Sequence, residues 1–336
     1  MKFGLAVMND FPPGVVPADR IAALREQVRL ARDAGMSSIW ALQHVLGNLP
    51  TLQPLPLLSA LAEDSGEMTL GTSMLILPLH QPVTVAEEFA TLDHLANGRA
   101  IAGFAAGYRD NEFETYAIDK KSRGKILTEA IDLIRQLWTG EPVSFSGDFF
   151  NVDNQKISLK PVQQGGPPVW MGAGPTPAGA RRAARLGDAW ILPPAASPEK
   201  IEASLQGYRE ERAKLGRNAG TFALRRELVL DNDADRARAI GAAARDGVTK
   251  AYGEFNAPDK QGNYDHLADA AAAERVIDQS YIFTDPQTAV EKFKALQAQG
   301  VDHIVLRMQW YDMPQEQVLN TLELFRTQVL PAFADK

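Results

Sequence analysis

Residues 70–113 read LGTSMLILPLHQPVTVAEEFATLDHLANGRAIAGFAAGYRDNEF. A short apolar run over 69–76 is followed by a helical pattern that stops at Gly98, and a second apolar run, 99–105, begins at once. Strand, helix, glycine, strand is the punctuation of a parallel sheet, whose crossovers are helical. The same mark recurs outward in both directions. Gly35 precedes Ser38–Leu42, Gly187 precedes Ala189–Leu192, and Gly300 precedes His303–Leu306. Glycine suits the left-handed position that closes a helix, and the run after it is the next buried strand.

Strands are predicted near 2–8, 38–42, 69–76, 99–105, 168–172, 188–192, 223–230 and 302–307. Eight parallel strands close a barrel, whereas an open doubly wound sheet usually has fewer. The helices between them show 3.6-residue spacing. Ile21, Leu24, Val28 and Ala31 share a face, with Asp19 placed to cap the start. Val318, Leu322, Phe325 and Val329 do the same, with Asp312 and Pro314 as start signals. The expected fold is thus an α/β, single (β/α)8 TIM barrel spanning 1–336. The run FALRRELVL alternates more than it runs apolar and is the weakest strand signal. Two stretches interrupt the repeat. Residues 141–160 alternate aromatics around Gly147-Asp148, which predicts an inserted hairpin. Residues 253–283 are polar with an alanine-rich helix and no evident strand partner, which predicts a mobile, lid-like insertion over the substrate.

Hydrophobic residues form 45% of the 336 and charged residues 23%, enough for a large core without staples. With no cysteine, disulfides, thiolate nucleophiles and thiolate-held metals are excluded. A net charge of −7 with scattered Lys and Arg argues against nucleic acid. No apolar stretch approaches a membrane span, and the first residues read as a strand rather than a signal peptide, so a cytoplasmic location is expected. The histidines form no HxH or HExxH pattern, so no metal site is expected. His94 and His303 read as structural, and His266 falls in the insertion.

The segment 70–113 resembles the luciferase-like flavin monooxygenases. The features are the Leu-Gly-Thr strand, the following Pro, Leu92-Asp93, Gly98-Arg99, Gly107-Tyr108 and Glu112-Phe113. LTEAIDLIRQLWTGEPVSFSGDFFNV, GGPPVWMGAGPTPAGARRAARLGDAW and DPQTAVEKFKALQAQGVDHIVLR continue the resemblance over nearly the whole chain apart from the insertion. It implies an FMN-dependent monooxygenase in the cytoplasm, working as a homodimer. Reduced FMN would come from a separate flavin reductase, and dioxygen would oxidise a small organic substrate. Two alternatives stay open: a 5-deazaflavin-dependent hydride-transfer oxidoreductase, and a non-catalytic flavin-binding partner subunit.

The resemblance also assigns residues. His44, just past the second strand, is the expected catalytic acid or base. Luciferases proper carry an acid before this histidine and a second histidine after it. Here Gln43 and Val45 stand there, which weighs against luciferase chemistry in the narrow sense. Gly172, Ala173, Gly174 and Thr176 form a small-residue turn opening a helix, the expected flavin-phosphate cradle. The spacing is wrong for a dinucleotide-binding turn, and Pro175 and Pro177 would spoil its helix start. The family's phosphate arginine is replaced by Ala106, with Arg109 or Arg181 as candidates for its role. Thr72, Ser73 and Met74 are expected at a bulge against the flavin ring, with a non-proline cis peptide between Ser73 and Met74. Gly107 and Tyr108 are expected near the ring or its ribityl chain. Arg307, Gln309 and Trp310 end the last strand as further pocket candidates.

Overall fold

The computed structural model describes residues 1–47, 49–253, 278–310 and 312–334, with backbone alone over 247–253. Eight parallel stations form a closed ring. In order around it they are β1 (Lys2–Val7), β2 (Ser38–Ala41), β3 (Thr69–Thr72) with β4 (Leu75–Ile76), β5 (Ala100–Ala105), β8 (Val169–Gly172), β9 (Ala189–Leu192), β10 (Thr221–Leu230) and β12 (His303–Arg307). β12 pairs β1 and closes the circle. Helices cover the outside, and their apolar stripes form the main core with the outward-facing strand residues. The chain is therefore a (β/α)8 TIM barrel, as the strand count requires.

The barrel interior is plugged rather than hollow. Trp40 and Trp170 pack at 4.7 Å between centroids with their planes tilted by 43°, and His303 meets the Trp170 ring edge-on at 5.3 Å. The Trp40 indole N–H donates to Ser38 Oγ at 2.8 Å, and that oxygen lies 3.0 Å from His303 Nε2. Room for Trp40 comes from Gly4 and Gly71, where a Cβ would overlap its indole. Ala6, Ile101, Ile191 and Val305 complete an apolar plug with the two indoles.

Several local expectations are corrected. Gly35, Gly98 and Gly300 have φ of 87°, 77° and 95°, in the left-handed region as expected of helix ends. Gly187 instead has φ −101°, which any residue can adopt. Glycine is needed there for space, since a Cβ would lie 2.7 Å from both the Ala189 carbonyl oxygen and Met171 Cγ. Asp19 does not cap α1 (Pro17–Ala34); Val16 holds that position, and Asp19 lies in the first turn, where its charge suits the helix dipole.

The hairpin forms between β6 (Val143–Ser146) and β7 (Asn151–Gln155), with Phe145 opposite Val152. The Glu129 carboxylate on α5 (Arg123–Leu137) accepts the N–H groups of Asp148, Phe149 and Phe150 and fixes its tip. Most of the expected lid, residues 254–277, lies outside the described residues. Its end departs from expectation. Ile282–Thr284 forms β11, which pairs in parallel with Leu228–Leu230 of β10. The apolar run YIF was too short to stand out from a polar neighbourhood, yet it buries Tyr281 and Phe283 against Trp310.

His303 generates a stability test. Burial, then Lys2 and the N-terminus, push its pKa down to about 3. The unfolded chain takes up that proton below about pH 6.5, while the folded chain refuses it until near 3. The stabilisation is therefore complete above the unfolded value and is lost as pH falls between the two. A His303→Gln variant is expected to lose stability less steeply over that window, by up to about 1.4 kcal/mol per pH unit. Urea denaturation at stepped pH measures the slope; equal slopes in variant and parent would contradict a neutral buried His303.

Candidate active site

Past the plug, the strand ends open into a mouth, and the residues there keep the alternation of the strands beneath. On β2 the inward residues Ser38 and Trp40 lead two by two to His44. Three contacts hold its loop. Asn9 at the end of β1 donates to the carbonyls of Leu42 and Leu52 and accepts the Leu42 N–H. Gln53 donates to the His44 carbonyl at 3.1 Å. Gln43, buried, accepts the Ile76 N–H at 2.8 Å, and its amide meets His80 Nε2 at 3.0 Å. The neutral amide that replaces the luciferase acid thus ties the His44 loop to β4.

His44 is half-buried in surface terms but enclosed by protein. Its pKa is pushed down to about 3, first by burial, then by the positive charge of Arg109, with Arg225 and Arg307 adding and Asp10 opposing. The imidazole is neutral at physiological pH and keeps one acceptor nitrogen. Beside it, Arg109 and Glu112 are buried and stand 3.6 Å apart across the start of α4 (Asp110–Thr115). Glu112 also faces the Val45 N–H at 3.5 Å. Burial raises the Glu112 pKa against the opposing pull of Arg109 and Val45.

Across β3 and β5 the expected bulge is present. The Ser73–Met74 peptide is cis, and the Ser73 N–H donates to the Ala41 carbonyl. Thr72 is fully buried. Its hydroxyl donates to the Gly103 carbonyl at 2.7 Å and accepts the Gly103 N–H at 3.0 Å, bridging β3 to β5 where the ladder breaks. That hydroxyl is occupied by the fold. The Met74 side chain reaches Gly172, where a Cβ would overlap it, so the bulge packs on the first residue of the small-residue turn.

That turn runs from Gly172 to Thr176. The Trp190 indole donates to the Ala173 carbonyl at 3.1 Å and pins it. Thr176 is the N-cap of α6 (Pro177–Leu186), its hydroxyl accepting the Gly179 N–H at 3.0 Å. Gly174 is exposed, and a Cβ there would meet nothing within 4 Å. The open face, the helix start and the small residues fit a phosphate. Gly107 has φ 76° and no room for a Cβ beside Ile76, and Tyr108 follows it half-buried at the mouth. The two candidate arginines separate. Arg109 turns inward to Glu112, whereas Arg181 is exposed on α6, one turn beyond the cradle. Gln309 turns away from the mouth, accepting from the Gln27 amide at 2.9 Å, while Arg307 and Trp310 stay beside it.

Sequence reasoning passed over Asn9, Arg225, Glu227 and the role of Glu112. Arg225 and Glu227 left a signal: they are the charged members of the alternation in FALRRELVL.

The family model for luciferase-like monooxygenases matches residues 1–303, and the chain belongs to that family. The F420-dependent glucose-6-phosphate dehydrogenase of Beutenbergia cavernae is 31% identical over 317 residues, covering 90% of each chain. The F420-dependent hydroxymycolic acid dehydrogenase of Mycobacterium tuberculosis is 28% identical over 323 residues, covering 93% of this chain and 84% of the relative. Among solved structures, the monooxygenase RslO1 of Streptomyces bottropensis superposes with a TM-score of 0.87 at 23% identity, covering 99% of this chain and all of that one. An F420-dependent secondary alcohol dehydrogenase superposes at 0.81 with 22% identity, covering 99% of both chains. The curated relatives are oxidoreductases, and this chain is an enzyme of that broad class. Among the described residues, no helix is long and apolar enough to cross a membrane.

The open space at Gly174 makes it a clean probe of the cradle. A Gly174→Glu substitution is expected to leave the melting temperature unchanged and to weaken binding of a phosphate-bearing flavin or deazaflavin by at least about tenfold, through charge repulsion at the phosphate. Thermal unfolding and calorimetry on the same preparation measure both; unchanged affinity would move the phosphate elsewhere.

Proposed function

We propose that this protein is a 5-deazaflavin-dependent oxidoreductase that moves a hydride between the coenzyme and a small organic hydroxyl or carbonyl compound. The observation that carries the reading is the match, over nine-tenths of the chain, to relatives named as F420-dependent dehydrogenases. The FMN and dioxygen reading shares the fold and cradle, but its named structural neighbours are related at the level of fold alone.

The Gly172–Thr176 turn would hold the coenzyme phosphate, and the Ser73–Met74 bulge would stand behind the ring. A bound deazaflavin supplies a carbon that accepts or returns a hydride as an electron pair. The accompanying proton falls to the chain. Oxidation of a hydroxyl to a carbonyl releases one proton from oxygen, and neutral His44 has a ring nitrogen free of charge to take it. Arg109, Arg225 and Arg307 disfavour the resulting imidazolium, so the proton does not rest there. Glu112, whose carboxyl burial inclines to the protonated form, lies beside the His44–Val45 segment to take it onward. In the reverse direction the same groups return a proton to the nascent alkoxide. This hydride chemistry needs neither dioxygen nor a flavin reductase.

Two measurements test the reading. Titration of the protein with oxidised and reduced deazaflavin and with FMN is expected to give tighter binding of the deazaflavin. Anaerobic turnover of an alcohol panel is expected to bleach the deazaflavin chromophore. Binding of FMN alone, with oxygen-dependent turnover once a reductase is added, would replace this reading with the monooxygenase. A His44→Ala variant is expected to keep coenzyme affinity while turnover falls by about 10²–10⁴-fold, the usual contribution of a positioned acid–base group.

A further inference from the structure

The mouth is not the only concave surface of the barrel. On the outer wall a groove of about 630 Å³ runs between α5 and α6, closed on one side by the tip of the β6–β7 hairpin. That volume suits a small molecule. The groove follows the flank of α6, whereas the Gly172–Thr176 turn precedes that helix, and neither His44 nor Glu112 lines it. Its cations lack counter-charges. Arg182 on α6 is half-buried and reaches across to the first turn of α5, where a Cβ on Gly124 would lie 3.2 Å from its Nη2. It makes no hydrogen bond or ion pair with the described residues. Burial first, then the charges of Arg123 and Arg185, push its pKa below the usual guanidinium value. Those two arginines have only neutral partners, the Lys120 carbonyl at 2.8 Å and the Thr128 hydroxyl at 3.1 Å. Three guanidinium groups gathered without a carboxylate repel one another, and an anion placed among them relieves that repulsion.

The groove has acids, but none serves these arginines. Glu129 is taken up by three backbone N–H groups of the hairpin tip, and Glu211 by Lys214 at 3.0 Å. Asp132 and Asp148 line the groove without an ion pair among the described residues. Opposite charges thus border one open space without meeting, and a ligand that carries both an anion and hydrogen-bond donors would bridge them. Phe149 lines the same groove and is 38% exposed, although its backbone N–H is fixed on Glu129 at 2.9 Å. An aromatic ring held at the wall of a cationic groove offers a face on which a planar group can stack.

We infer that this groove binds a mononucleotide. Arg182, flanked by Arg123 and Arg185, holds the phosphate, Phe149 stacks on the base, and Asp132 and Asp148 accept from the ribose hydroxyls or the base amino group. A phosphate monoester fits better than a carboxylate, because its charge of about −2 at neutral pH matches a cluster of several guanidinium groups and its oxygens match their forked donors. The site stands on the outside of the barrel, so it does not depend on which coenzyme or substrate the mouth takes.

The test titrates the full chain with AMP, adenosine and inorganic phosphate by calorimetry, in the wild type and in Gly174→Glu, where the cradle at the mouth is closed to phosphate. AMP is expected to bind both proteins saturably, at least about tenfold more tightly than either fragment, and more weakly as salt rises. Arg182→Gln is expected to weaken AMP by roughly 10- to 100-fold, the worth of a charged hydrogen bond, and to leave adenosine unchanged. Phe149→Ala is expected to weaken AMP by at least about fivefold and to leave inorganic phosphate unchanged, a split that a general loss of structure would not give. Thermal unfolding checks each variant. If Arg182→Gln does not fold, Arg185→Gln takes its place, and the comparison of AMP with its fragments on the wild type still decides. AMP that binds no more tightly than inorganic phosphate would overturn the inference. So would AMP binding that Gly174→Glu abolishes, or that Arg182→Gln leaves intact while deazaflavin binding weakens, since the groove would then belong to the coenzyme site.

Discussion

The fit of Trp40 into the barrel floor is the constraint on which the rest of this structure depends. Its indole occupies space that Gly4 and Gly71 vacate, packs at a tilt against Trp170, and is tied through Ser38 to His303. With the lower barrel filled in this way, no ligand can enter between the strands, and every group capable of chemistry must stand above the plug. The period-2 alternation of the strands then decides which residues those are. Counting up from Trp40 leads to His44, from Ala223 to Arg225 and Glu227, and from Val305 to Arg307. The glycines and tryptophans of the floor set the height at which the polar residues of the mouth begin.

Much of the fold could be read from the chain because it repeats. Strand, helix and glycine recur, and a (β/α)8 barrel adds a similar unit at each station. What could not be read has a physical reason in each case. Gly187 looked like its fellow helix-ending glycines, but its role is steric, set by Met171 and Ala189 packed against it. β11 is three residues long and gains its stability from pairing with Leu228–Leu230, a tertiary contact without local periodicity. The alternation of FALRRELVL weakened it as a buried strand, although in this barrel alternation means that the inward residues rise into a polar mouth.

The site divides in the same way. His44, the cis peptide and the small-residue turn carry local signatures, and each occupies its expected place in the barrel. The arginine question was not local. Arg109 and Arg181 both follow barrel strands in sequence, and only the fold shows that one turns into Glu112 while the other stays on the outer helix. Gln43 looked like a lost acid. In the structure its amide does what a carboxylate could not, since it accepts from the Ile76 N–H on one side and can donate toward Gln53 or His80 on the other.

Electrostatics joins these parts into one device. The mouth places a neutral imidazole within the field of Arg109, Arg225 and Arg307. Low dielectric above an apolar plug makes such fields reach further than they would in water. An imidazole in that position gives up a proton more readily than one in water, because burial and neighbouring positive charge both disfavour the imidazolium. Filling the barrel floor with indole therefore does more than stabilise the fold. It sets an apolar floor beneath the mouth, where burial first and then the charge of Arg109 hold the His44 imidazole in its neutral form.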